Sequence, residues 1–90
     1  MSGVRKRVVA RGRVQGVFFR DATQRRASLR GVCGWVTNRS DGAVEAVFEG
    51  EPDAVESLVE FMREGPRSAE VSDVEVSDEE PEGLSSFDVR

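Results

Sequence analysis

Two hydrophobic periods alternate along this chain, and their order leaves few folds open to it. From Val4 to Val14 every second residue shares a side: Val4, Lys6, Val8, Ala10, Gly12 and Val14 on one face, Arg5, Arg7, Val9, Arg11 and Arg13 on the other. A repeat of two with one mostly apolar face predicts a half-buried strand. Gly12 and Gly16 then bracket a turn, and Phe19 to about Arg30 has helical length, with a thin stripe of Phe19, Ala22, Thr23 and Ala27 and Gly31 as its stop. Residues 32–38 predict a second strand and Ala43 to Glu49 a third, with Val44, Ala46 and Phe48 on one side. Asp41-Gly42 between them is a strong hairpin signal. The period lengthens after Gly50-Glu51-Pro52-Asp53, where Val55, Leu58, Val59 and Met62 stand at i, i+3, i+4 and i+7, and Gly65-Pro66 ends the helix they mark. Ala69 to Val76 is strand-like, with a break in phase at Asp73 that predicts a bulge. Asp78 to Gly83 reads as an acidic turn, and Phe87 to Arg90 as a short last strand.

The order β-α-β-β-α-β is the split βαβ arrangement of ferredoxin-like domains. It predicts an α+β sandwich, two helices covering one face of a mainly antiparallel sheet, with a short fifth strand at the end. Residues 1–90 suffice for one domain with one modest core. Trp35, Phe48, Phe61 and Phe87 are expected in that core. Because this fold serves many functions, the chemistry must be read from particular residues.

The residue types exclude several mechanisms. There is no His, so the usual neutral-pH base and the commonest zinc ligand are both missing. A Ser-His-Asp or Cys-His hydrolase is ruled out. Cys33 is the single cysteine, which excludes an internal disulfide and fits a reducing compartment. No apolar run approaches the roughly 20 residues that cross a bilayer, and the start Met1 to Arg7 has no apolar leader core, so a cytoplasmic protein without membrane attachment is expected. Charge is uneven: residues 1–30 hold nine basic side chains against Asp21 alone, while residues 31–90 hold four basic against sixteen acidic. The basic first third suggests an anionic partner, and the acidic remainder favours a small one over a nucleic acid. The acids Asp73, Glu75, Asp78, Glu79, Glu80 and Glu82 read as a solvated face, because they lack the spacing of a calcium loop.

One segment concentrates the features of an anion site. Gly12-Arg13-Val14-Gln15-Gly16-Val17-Phe18-Phe19-Arg20-Asp21 lies where a strand ends and a helix starts, a place where main-chain N–H groups lack partners. Gly16 lets that backbone curl. Arg20 stands where a cation is ordinarily unfavourable, a position that a bound anion would reverse. The plainer reading has the glycines shaping a turn and Arg20 pairing with Asp21 or solvent. A second pattern, Cys33 to Arg39, reads Cys-x5-Arg and looks like the nucleophile loop of thiol phosphatases. Here it falls on a strand leading into a hairpin, without the electropositive loop at a helix start that a reactive thiolate needs.

Gly-x-Val-Gln-Gly-Val-x-Phe-Arg at Gly12 to Arg20, and Gly-Trp-Val-x-Asn-x-x-Asp-Gly-x-Val-Glu at Gly34 to Glu45, resemble the signatures of acylphosphatases. Gly65-Pro66 and Phe87 to Arg90 are similar to later landmarks of that family. The resemblance implies an enzyme that hydrolyses the carboxyl-phosphate bond of a small acyl phosphate by attack of water on phosphorus. It implies that backbone amides of Gln15, Gly16, Val17, Phe18, Phe19 and Arg20 cradle the phosphoryl group, that the Arg20 guanidinium binds it, and that Asn38 holds the water. It further implies that no metal or cofactor takes part, and a monomer is expected. The alternative is a non-catalytic ferredoxin-like module that binds an anion or RNA, and RNA would call for aromatics displayed on the central strands.

Overall fold

The computed structural model describes residues 3–90. Met1 and Ser2, part of the charged start considered above, lie outside the described residues. The element order is β1 (Val4–Arg13), α1 (Phe19–Leu29), β2 (Cys33–Asn38), β3 (Val44–Gly50), α2 (Pro52–Glu64), β4 (Glu70–Glu79) and β5 (Phe87–Val89). The five strands form one sheet in the order β4-β1-β3-β2-β5. Every pairing is antiparallel except that of β5 with β2, which is parallel. This is the expected α+β sandwich, fifth strand included.

The alternation of β1 does what its period requires. Val8, Ala10 and Val14 enter the core beside Val44, Ala46 and Phe48, while α2 contributes Val55, Leu58, Val59 and Met62 from its apolar stripe. Helix α1 is held more sparingly, by Phe19, Thr23 and Ala27, and Leu29 is left exposed. The Phe19 ring meets Phe61 edge-on at 6.2 Å, which joins the two helices. Main-chain bonds from Val32 to Ala27 (2.9 Å) and Gly31 to Ser28 (3.3 Å) close the end of α1, so Gly31 stops it as expected.

Two expectations are corrected. Strand β4 continues to Glu79, through residues read as an acidic turn, because it pairs with β1 as far as Arg5↔Glu79. The phase break is the expected bulge, with Arg11 opposite Asp73, Gly12 opposite Val71 and Ser72 unpaired between them. The acids of this strand are largely exposed, as expected of a solvated face, and they are also the counter-ions of the basic first third. Lys6 meets Asp78 at 3.0 Å, Arg5 and Arg7 meet Glu79 at 2.8 and 2.6 Å, and Arg11 and Arg13 pair with Glu75 and Glu70. Finally, Trp35 is not in the core. It lies half-buried on the uncovered face between the guanidiniums of Arg7 (5.5 Å) and Arg90 (4.9 Å), which lie over its ring. Phe48, Phe61 and Phe87 are buried as expected. No helix among the described residues is long and apolar enough to cross a membrane.

Candidate active site

Pairing β1 with its neighbours has a consequence for charge. With its cations neutralised across the sheet, the basic residues of the first third without an acidic partner among the described residues are Arg20, Arg25 and Arg26 on α1 and Arg30 just past its end. Arg20 is the one beside the turn that leads into that helix.

That turn is built by alternating backbone signs. Gly16 has φ 74 and Phe18 has φ 61, whereas Gln15, Val17 and Phe19 are on the ordinary negative side. Alternation of this kind points successive N–H groups toward one concave side, the geometry of an anion nest. A Cβ on Gly16 would meet nothing within 4 Å, so glycine is needed there for its dihedral and not for space. None of the main-chain N–H groups from Gln15 to Arg20 donates to a carbonyl or side chain among the described residues. Such groups are costly to leave without an acceptor, and they are the first donors an incoming anion meets.

A cavity of about 280 Å³ opens at this turn, lined by Val14, Gly16, Phe18, Phe19, Arg20, Asp21 and Asn38. The two side chains singled out for chemistry therefore meet at one place, although they stand 18 positions apart in the chain. Asn38 ends β2 opposite Val44, half-buried, and its side-chain amide makes no hydrogen bond to protein among the described residues. Arg20 does not pair with Asp21; its Nη1 donates to the main-chain oxygen of Arg90 at 2.9 Å. One turn later on α1, Gln24 Nε2 donates to the main-chain oxygen of Phe87 at 3.0 Å, so the same helix face grips β5 and the residue that follows it. This anchorage fixes the guanidinium near the turn while leaving most of its five N–H donors unspent. Phe18 and Phe19 divide the labour: Phe19 is buried, whereas Phe18 is 78% exposed at the rim.

The turn that follows Asn38 is also well braced. Arg39 N donates to Ala43 O (2.8 Å), Gly42 N to Arg39 O (3.2 Å) and Ala43 N to the Asp41 carboxylate (3.1 Å). That last bond, helped by the Arg39 charge, holds the Asp41 carboxyl below its ordinary value. A feature missed by reading the sequence is the side chain of Gln15, whose Nε2 reaches across to Arg39 O (2.8 Å) and Ala43 O (2.9 Å). Only its backbone was expected to matter, and no local pattern tells where a glutamine side chain will point.

The Cys-x5-Arg pattern is accounted for. Cys33 and Asn38 are the two ends of an extended strand, so the thiol is roughly 17 Å from the cavity at ~3.3 Å per residue. Arg39 spends its charge on Asp41 and Glu45.

A family model described as acylphosphatase matches residues 6–89. The chain belongs to that family. A curated acylphosphatase from Haloarcula marismortui is 53% identical over 90 residues, covering all of this chain and 99% of that protein. Among solved structures, an acylphosphatase from Coxiella burnetii superposes with a TM-score of 0.93 at 41% identity, covering 98% of this chain and 93% of that one. One from Bacillus subtilis gives 0.92 at 39% identity, covering 97% and 98%. This family member is thus an acylphosphatase by sequence and fold, an enzyme that hydrolyses acyl phosphates, and no observation favours the anion- or RNA-binding module.

Proposed function

We propose that the chain cleaves its acyl phosphate by direct attack of water on phosphorus, with the N–H groups of Gln15 to Arg20 and the Arg20 guanidinium holding the phosphoryl group and Asn38 holding the water. The observation that carries this reading is the joint placement of an unpartnered N–H nest, a guanidinium and an uncommitted amide around one cavity.

The residue types dictate the rest. Arg20 stays protonated and the Asn38 amide has no useful pKa, so neither serves as general acid or base. None is needed for the leaving group. As the water oxygen bonds phosphorus, the bond from phosphorus to the acyl oxygen breaks, and a carboxylate departs with the electron pair. One water proton passes to a phosphoryl oxygen, leaving a carboxylate and inorganic phosphate. What the protein supplies is placement and stabilisation of charge on the equatorial oxygens, which is most of the catalysis in phosphoryl transfer. A site built around the phosphoryl group, open at the rim, selects for that group more than for the acyl part.

Hydrolysis of benzoyl phosphate by the purified protein in chelator tests the reading. Removing one aimed donor from such a site typically lowers the rate about 100–1,000-fold. Arg20→Ala should lose at least that and also weaken inhibition by inorganic phosphate. Asn38→Ala should lose turnover with little change in phosphate inhibition. Full turnover by a folded Asn38→Ala protein would remove Asn38 from the mechanism, and loss of wild-type activity in chelator would demand a metal.

A further inference from the structure

Gln15 has two separate attachments. Its main chain belongs to the nest, yet its side chain leaves the nest and crosses to the β2–β3 turn. There one amide nitrogen, with its two hydrogens, meets two carbonyls, those of Arg39 and Ala43. Each of these carbonyls already accepts a main-chain bond that closes the turn. Among the described residues these are the only side-chain hydrogen bonds between the segment Val14–Arg20 and the segment Thr37–Ala43. Asn38, immediately before the braced turn, has no side-chain bond of its own among the described residues to aim it. The direction of its amide is set by the backbone on which it stands. The distance from that backbone to the nest is spanned by Gln15.

We infer that Gln15 is a positioning residue, a strut between the phosphate nest and the turn that carries Asn38, which sets where the attacking water stands relative to phosphorus. The inference rests on the proposed role of Asn38. The strut itself touches neither substrate nor water; its action on the reaction runs through the placement of another side chain. Geometry of this kind is demanding, because an ångström of misplacement can cost about 100-fold in rate.

Gln15→Met keeps the length of the side chain and removes both N–H donors. Its kcat for benzoyl phosphate should fall roughly 10- to 100-fold, while inhibition by inorganic phosphate stays within about twofold, since the nest amides and Arg20 remain. In an Asn38→Ala background the same substitution should cost nothing more, because the residue through which it acts is gone. Unchanged kcat in Gln15→Met overturns the inference. So does loss of phosphate inhibition in step with kcat, or losses that multiply in the double variant. Failure of the underlying reading looks different: Asn38→Ala alone would then turn over normally. If Gln15→Met does not fold, amide exchange in the wild-type protein decides, since the Gln15 side-chain protons should exchange far more slowly than those of a solvated glutamine, and free exchange would refute the strut.

Discussion

Phe18 holds φ 61 and ψ 26 at the start of α1, and it is the one non-glycine residue of positive φ among those described. For an ordinary L-residue that conformation costs about 1–2 kcal/mol. Burial does not offset it, because the ring is 78% exposed. The reversal is kept for what it does to the backbone: together with Gly16 it completes the alternation that gathers the N–H groups. Strain stored at a ligand site can be released by a residue that tolerates the left-handed region, and asparagine does so without the chain entropy that glycine adds to the unfolded state. Phe18→Asn is therefore expected to raise stability by about 1 kcal/mol, a melting temperature roughly 4–8 °C higher, whereas Phe18→Ala, with the same strain, should not. Equal melting of the two variants would mean that the turn relaxes once the ring is removed. Nothing in the local sequence signals this conformation, since phenylalanine carries no preference for positive φ. The neighbouring Gly16 does carry one, and it is why the nest could be expected in part.

At the level of elements, the close approach of β2 and β3 depends on Gly34, opposite Phe48. It has φ 142, and a Cβ there would stand 1.8 Å from the Val47 carbonyl oxygen and 2.8 Å from its carbon. These are backbone atoms inside a paired strand and cannot swing aside, so Gly34→Ala is expected to destabilise by about 3 kcal/mol or more. Urea unfolding should show a lower midpoint at unchanged slope, and a midpoint equal to wild type would mean the strands part without cost. The elements most legible in the sequence were those whose own residues define them: β1 and β3 by their alternation, α2 by Val55, Leu58, Val59 and Met62, the hairpin by Asp41-Gly42. Even α1, with its thin stripe, could be bounded by Gly16 and Gly31. What was not legible depended on distant partners. Asp78 and Glu79 look like a turn until Lys6, Arg5 and Arg7 are placed beside them. Trp35 looks like core until two arginines are seen to cover it on the open face. The site divided in the same way: the nest and its arginine follow from a local motif, the Gln15 strut does not.

Over the whole molecule, electrostatics separates into a screened part and a buried one. Lys6–Asp78, Arg11–Glu75 and Arg13–Glu70 are exposed at one or both ends, and added salt should weaken them at little cost, since such pairs contribute about 0–1 kcal/mol each. Arg5 and Glu49 differ, with side chains 5% and 7% exposed and 2.7 Å between them. Burial pushes the Glu49 carboxyl up, but the N–H groups of Glu82, Gly83 and Leu84 and the Arg5 guanidinium together hold it below its ordinary value. Glu79, bonded to Arg7 and Arg5, is likewise lowered. A carboxyl whose folded pKa is depressed contributes stability that is complete above its unfolded value, near ~4.3, and is lost as pH falls through the folded one. The unfolding free energy should therefore be flat from neutral pH down to about 5 and then decline steadily. Glu49→Gln puts an amide where two of four donors need an oxygen and leaves Arg5 buried with Glu79 and Glu82 alone. It should cost about 3 kcal/mol at pH 7, and because the titrating group is gone, the gap from wild type should narrow below pH 4. Parallel pH curves for the two proteins would mean that protonation of Glu49 is not what acid does to this fold.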